Sequence, residues 1–502
     1  MSTKLLKIGR LNTKLAARSY SLLPEGALSY IGGKWTSSEC AQHFAVTNPY
    51  TGETLENVPN CSVKDADRAV RAALDGFEHW AHGHTAKQRG AVLQKWFQIL
   101  QTRETELATL LTKEQGKPLA EARGEIQYSA AYFDWYAGES RRLYGQVVPS
   151  AVPNRLHLHT REPIGVVALI SPWNFPTAMI ARKAAAALAV GCSVVVKPAE
   201  DTPLSALALA QTAHEAGLPA GVFNVITADR QRTAEISKFL CESTNVSAIS
   251  FTGSTPVGKL LLSQCASTVK RACMELGGNA PLIVFDDADL DVAVNGTMAT
   301  KFRCSGQTCV SANRIFVHEK VHDQYVAKLA AAMKDRLILG DGLDARTTQG
   351  PLVNQRAVEK CELLLSDALG KGAELICGGK RGDQGSAYQP TLITNVLANT
   401  NIASTEIFGP IAAVQKFRGD DEVLAAANNT RVGLAGYIFG SEPRRLQRFA
   451  RRLEVGMVGV NEGLISCAEA AFGGVKESGI GREGGMQGLD EFTNWKYICT
   501  QY

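Results

Sequence analysis

The chain is expected to fold as an α/β protein built on a parallel sheet flanked by helices, and three observations predict it. Between residues 164 and 278, short apolar runs alternate with helical segments, the pattern of a nucleotide-binding sheet of the Rossmann type. The polar and glycine-rich segments follow directly after those runs, at the carboxyl ends of the strands where such sheets take their ligands. A second alternating block runs from Pro281 to about residue 472 and carries a polar island, residues 302–309, with a cysteine just after Gly306-Gln307-Thr308. At 502 residues the chain exceeds what one core supports, so two or three sub-structures are expected.

Apolar content of 45% and charged content of 20% are those of a globular protein and argue against disorder or coiled coil. The twelve cysteines are scattered with no Cys-x-x-Cys pair, which fits neither a disulfide framework nor a zinc site, and the nine histidines contain no His-Glu-x-x-His. No metal is expected, and cysteines inside apolar runs, such as Cys192 and Cys273, suit a reducing compartment. Residues 1–24 carry Lys4, Lys7, Arg10, Lys14 and Arg18 with no acid, and Leu5, Ile8, Leu11 and Leu15 share one helical face. This resembles a mitochondrial presequence with cleavage after Tyr20, and implies a matrix address. Removing residues 1–24 takes the net charge from +4 to −1, because five cations and no anions leave. A nearly neutral protein gives no electrostatic case for nucleic acid. The longest apolar run, residues 184–196, is interrupted by Gly191 and Ser193 and is too short to span a membrane.

In chain order, residues 30–59 read as turn-punctuated short strands and 63–138 as amphipathic helices, with Ala66, Val70, Ala73 and Phe77 recurring every three or four residues. Strands are predicted at 165–171, 193–197, 222–226 and 248–252, with helices at 179–190, 204–216 and 257–265. In the second block strands are predicted at 282–285, 314–317, 412–417, 435–439 and 455–460. Residues 143–163 and 491–502 read as strands of a third, smaller element.

Phe251–Lys259 has the glycine spacing of a P-loop, but Leu260 stands where Ser or Thr would bind magnesium, so ATP is a poor ligand. A helix capped by Ser254, with Pro256 in its first turn, still offers free N–H groups to a pyrophosphate. Glu200, after the second strand, can accept from both ribose hydroxyls and would repel a 2′-phosphate, which favours NAD over NADP. Residues 479–484, GIGREG, fit a dinucleotide fingerprint, yet no strand leads into them and they read as a loop. Cys309 is a candidate nucleophile, which needs a lowered pKa or a nearby base; a lone cysteine is otherwise a small buried hydrophobe.

Six motifs occur in order: PWNFP with Trp173 and Asn174, KPAE with Lys197 and Glu200, FTGSTPVGK with Gly253 and Ser254, MELGG with Glu275, GQTC with Cys309, and EIFGP with Glu406 and Phe408. Together they resemble the NAD(P)-dependent aldehyde dehydrogenase superfamily over nearly everything after residue 25. The resemblance implies a Rossmann-type cofactor domain, a catalytic α/β domain and a small β oligomerisation element. It places the cofactor domain at 25–142 and 160–277, the catalytic domain at 278–480, and the oligomerisation element at 143–159 and 488–502, in a homodimer or homotetramer. It implies Cys309 as nucleophile, the Asn174 amide and Cys309 N–H as oxyanion donors, and Glu275 as the base that activates water. Trp173, Lys197, Glu200, Gly253, Ser254, Glu406 and Phe408 would hold NAD, Glu406 at the nicotinamide ribose and Phe408 near the ring.

Arg182, Arg303 and Ser466, with residues 461–466 and the KFR before the cysteine, resemble the succinate-semialdehyde branch, which implies that they grip a distal carboxylate. Physically, an arginine six residues before the nucleophile can neutralise the far end of a short acidic aldehyde. The rivals are a dehydrogenase for another carboxylated aldehyde such as glutarate semialdehyde, since one methylene is worth only ~1 to 3 kcal/mol, and a catalytically idle relative. Two departures stand out. Ser311 replaces a second cysteine that many members of the branch carry, and Cys304 raises the question of pairing with Cys309, which needs Cα atoms within ~7 Å.

Overall fold

The computed structural model describes residues 22–23 and 28–502. Apart from Leu22 and Leu23, the predicted basic leader, with its cleavage point after Tyr20, lies outside the described residues. Among the described residues, an eight-stranded and a seven-stranded sheet carry the two halves, and a three-stranded sheet stands apart.

In the first sheet Phe223–Val225, Ser193–Lys197, Val166–Ile170, Ala248–Thr252 and Arg271–Glu275 lie side by side and parallel. The four strands predicted for this half appear almost residue for residue, because each is a short, mostly apolar run buried on both faces. The helices Ala178–Val190, Pro203–Ala216 and Thr255–Cys265 cover it. From Val166–Ile170 the chain steps outward through two strands and then returns to place Ala248–Thr252 on the other side. That reversal opens a crevice between the loop at Pro172–Pro176 and the loop at Thr252–Ser254, where open α/β sheets bind ligands. Beyond Arg271–Glu275 the sheet is closed by an antiparallel edge strand, Gly479–Ile480. The GIGREG segment, predicted as a loop, therefore starts in a strand. A Cβ at Gly479 would lie 1.9 Å from the Met274 carbonyl oxygen, so only glycine permits this approach.

The seven-stranded sheet runs Glu374–Cys377, Thr391–Thr394, Ile411–Phe417, Ala312–His318, Ala280–Val284, Ala435–Phe439, Met457–Val460. Its first two strands, four residues each, are not among those predicted. The third sheet pairs Thr493–Gln501 antiparallel with all of Arg155–Pro163, and Gln146–Val148 adds to its far edge. Trp495, Tyr497, Ile498 and Val147 are exposed on it.

The helix Ala178–Val190 is fully buried, and its last-turn carbonyls take bonds from outside. Trp80 Nε1 donates to Leu188 O at 2.9 Å and Arg89 Nε to Ala189 O at 3.1 Å. Trp96 stacks on Phe133 at 4.0 Å and ties the helices Ala86–Thr102 and Leu119–Glu139 together behind it.

Candidate active site

Cys309 follows a tight, strained turn. The helix Leu290–Phe302 ends, and Cys304, Ser305 and Gly306 adopt left-handed φ values of +51°, +54° and +73° in succession. Two side chains hold them there, since Glu121 accepts the Cys304 N–H at 2.9 Å and Ser305 Oγ donates to Gly350 O at 2.7 Å. Gly306 has no alternative, because a Cβ would sit 2.2 Å from the Gly409 carbonyl oxygen. Gly306→Ala is expected to cost about 3 kcal/mol or more and to abolish activity, measured as a lowered melting temperature together with lost turnover.

A cleft of 410 Å³ opens over the turn. Cys309, Asn174, Glu275, Arg182, Arg303 and Ser466 all line it. Asn174 donates from Nδ2 to Gln307 O at 2.8 Å, and Gln307 in turn accepts Val353 N–H through Oε1 at 2.9 Å, so the amide is fixed beside the cysteine turn. Its second N–H remains for a ligand. Glu275 ends its strand buried, with neither carboxylate oxygen hydrogen-bonded, and a Cβ at Gly473 would lie 2.9 Å from Oε1. Arg303 rests 5.1 Å over the Phe175 ring and has no ion pair among the described residues. Arg182 does have one: it is buried, lies 4.1 Å over Phe472 and pairs with the carboxylate of Glu483, which also pairs with Lys183. Its Nη2 is left without a partner.

The other arm of the cleft is lined by Trp173, Gly253, Ser254, Glu406 and Phe408. Trp173 and Phe408 meet edge to face at 5.5 Å, with Phe408 held at φ +53°. Ser254 caps the helix Thr255–Cys265 by position but makes no side-chain cap bond, which leaves the hydroxyl and the first-turn N–H groups to a ligand. Glu406 accepts the Gly278 N–H at 3.0 Å, and a Cβ at Gly277 would meet its other oxygen at 2.9 Å. Lys197 lies outside the cleft lining, buried, with Nζ on Pro198 O at 2.7 Å; Glu200 also lies outside, half-buried in the following turn. An edge-to-face aromatic pair, first-turn N–H groups without a side-chain cap and the Glu406 carboxylate in one arm of the cleft suit a dinucleotide.

The profile of the aldehyde dehydrogenase family matches residues 35–498. The chain belongs to the aldehyde dehydrogenase family. It is 51% identical over 472 residues to the mitochondrial succinate-semialdehyde dehydrogenase of Mus musculus, covering 94% of this chain and 90% of that one. It is 46% identical to a glutarate-semialdehyde dehydrogenase of Pseudomonas putida, covering 94% and 97%. The crystal structure of succinate-semialdehyde dehydrogenase from Burkholderia pseudomallei matches with a TM-score of 0.94 at 47% identity, over 96% of this chain and 99% of that one. The protein is thus an NAD(P)-dependent enzyme acting on aldehydes, with the expected α/β architecture. No helix among the described residues is long and apolar enough to cross a membrane. No cluster of three or more His, Cys, Asp or Glu among them is placed to hold a metal.

Burial dominates the electrostatics of this dehydrogenase. It pushes the Cys309 thiol up to about 12; Arg182 opposes the shift, while Glu406 and Glu275 add to it. Burial and then Glu483 hold Glu275 well above the usual carboxylate range, and burial raises Glu406 to about 7. Glu483 stays ionised: burial works against it, but Arg182 and Lys183 outweigh burial and bring it below the usual value. Cys304 is a different thiol altogether. It lies packed with Phe175, Ala178 and Met179 outside the cleft, and burial raises it to about 11. Cys304 and Cys309 are both free.

Sequence reasoning did not name Lys183, Glu483 or Tyr128, and it named Gln307 only as part of the motif before Cys309, not as the residue that fixes Asn174. Glu483 sits inside GIGREG, and the signal for it was the motif's position, since its short strand borders the strand of Glu275.

Proposed function

We propose that this dehydrogenase oxidises succinate semialdehyde to succinate with NAD. The observation that carries the reading is Arg303: a guanidinium with no ion pair among the described residues, lining with Ser466 the same cleft as Cys309. An unpaired arginine facing a partly apolar cleft is a strong site for a carboxylate. The free Nη2 of Arg182 supports a second contact from the other side.

In this reading Cys309 Sγ, once deprotonated, attacks the aldehyde carbon and forms a C–S bond. The oxyanion that develops is met by the free N–H of Asn174 and by the Cys309 backbone N–H. The dinucleotide, when bound, supplies the hydride acceptor. The resulting thioester is cleaved by water that Glu275 deprotonates, which releases the acid and returns the thiol. Glu200 supports NAD over NADP through its repulsion of a 2′-phosphate. The exposed Trp495, Tyr497 and Ile498 support the three-stranded sheet as the oligomerisation element. Domains at 25–142 with 160–277, and at 278–480, remain the proposed division. A mitochondrial matrix address with cleavage after Tyr20 keeps Leu22, whose side chain packs in the core of the first half.

The test is NADH formation with succinate semialdehyde, glutarate semialdehyde and butanal. Succinate semialdehyde should lead, and the longer acid should trail by roughly 10- to 200-fold in kcat/KM, the range for one methylene. Equal efficiency on butanal would sink the carboxylate clamp.

Glu275 also makes a pH prediction. A base acts only when ionised, and burial and Glu483 raise its pKa well above the usual carboxylate range, so kcat should climb with rising pH over a range higher than that of an ordinary glutamate. Glu275→Gln should flatten that profile and slow steady turnover about 100-fold while sparing the first-turnover burst of NADH. A variant that keeps the slope would remove Glu275 from deacylation.

A further inference from the structure

Asn174 is fixed at two points, and only one has been used so far. Its side chain is held by Gln307 O; its main-chain carbonyl is held by Lys117 Nζ at 2.7 Å. Lys117 is a buried ammonium that follows the helix Glu104–Gln115, in a part of the chain remote from the motifs. The same Nζ pairs with Glu125 Oε2 at 2.6 Å and sits 3.8 Å over the ring of Phe175, the residue after Asn174. The other oxygen of Glu125 accepts Thr177 N–H at 2.9 Å, Thr177 Oγ1 at 2.8 Å and Ala178 N–H at 3.3 Å. One buried ion pair thus grips the Asn174 loop at both ends, at residue 174 and at the start of the helix that carries Arg182. The Lys117 backbone is itself held, since its N–H donates to Gln115 Oε1 at 3.0 Å.

We infer that Lys117 and Glu125 are positioning residues for the oxyanion site: through the Asn174 carbonyl and the Thr177 amide they fix where the Asn174 side-chain N–H points. The inference rests on the reading of Asn174 as oxyanion donor. A core that only needed to be filled would take apolar side chains here, because a buried ion pair is seldom a net gain in stability over a hydrophobic replacement. What the pair supplies instead is direction. Its bonds end on the backbone of the loop that carries the donor, and a donor displaced by a fraction of an ångström loses much of its effect.

Lys117→Met with Glu125→Gln removes the pair without leaving an unpaired buried charge. Succinate semialdehyde turnover should drop roughly 10- to 100-fold in kcat, with KM for NAD unchanged, as misplacement of one group predicts. Asn174→Ala alone should cost about 10²- to 10³-fold. In the Asn174→Ala background the pair variant should cost less than about twofold more, since nothing remains to be positioned. A pair variant within twofold of wild type, or one whose loss multiplies undiminished on top of Asn174→Ala, overturns the inference. No loss in Asn174→Ala would instead overturn the oxyanion reading itself. If the pair variant does not fold, Glu125→Gln alone serves: it keeps an acceptor for Thr177, and kcat should still drop about fivefold in wild type and remain level in Asn174→Ala. Equal losses in both backgrounds would sink the proposal.

Discussion

Cys309→Ser should leave a folded protein that forms NADH at least about a thousandfold more slowly, because a serine hydroxyl is far less readily ionised and less nucleophilic than a thiol in the same place. The size of the loss follows from the site. The proposed oxyanion donor, Asn174, and the proposed base for deacylation, Glu275, already lie in its cleft, and no other cysteine among the described residues lines it. Cys304→Ser is the control. Its sulfur faces Asn174 O at 3.6 Å and Gln115 Nε2 at 3.5 Å from within the apolar packing, so its replacement should shift the melting temperature while turnover stays within a few-fold. The assay is steady-state NADH formation with thiol titration of each variant by iodoacetamide. Retained turnover in Cys309→Ser with loss in Cys304→Ser would move the nucleophile to the other thiol.

Arg303→Ala should lower kcat/KM for succinate semialdehyde about 100-fold or more and leave butanal within about threefold. Removing one partner of a desolvated charge pair costs roughly 2–5 kcal/mol. The uncharged aldehyde has no carboxylate to lose. Arg182→Ala is a poorer probe of the same idea, because that arginine also neutralises Glu483, and its removal would leave a buried carboxylate next to Glu275. A uniform loss on both aldehydes in Arg303→Ala would assign the residue to the turn and not to the substrate.

The parallel sheet was legible because its strands are two-sided apolar runs, and the motifs mark the ends of those strands. Asn174, Glu275, Cys309, Arg303 and Ser466 could be named because each sits in a short local pattern, and the structure brings all five into one cleft. Lys117, Glu125 and Glu483 could not. A buried charge in a helix or after a turn looks, in sequence, like any solvated charge, and only its distant partner distinguishes it. Lys117 meets Asn174 across 57 positions, and Lys183 meets Glu483 across 300. Arg182 was anticipated as a free clamp, yet it is half committed to Glu483. The Ser254 cap was expected from residue type, but its hydroxyl does not bond the helix.

The edge strand Gly479–Ile480 has a bearing on how the enzyme is made. Its partner strand ends at Glu275, so the base and the segment that seals its sheet leave the ribosome 205 residues apart. At roughly 5–20 residues per second, synthesis leaves that edge unpaired for about 10–40 s. During this interval Arg271–Glu275 presents open backbone groups of the kind that recruit stray strands. A transcript that stops before codon 475 would thus yield a chain carrying every residue of the proposed catalytic trio and still lacking the wall behind its base. Chaperone demand in this protein should accordingly concentrate on nascent chains between those two points.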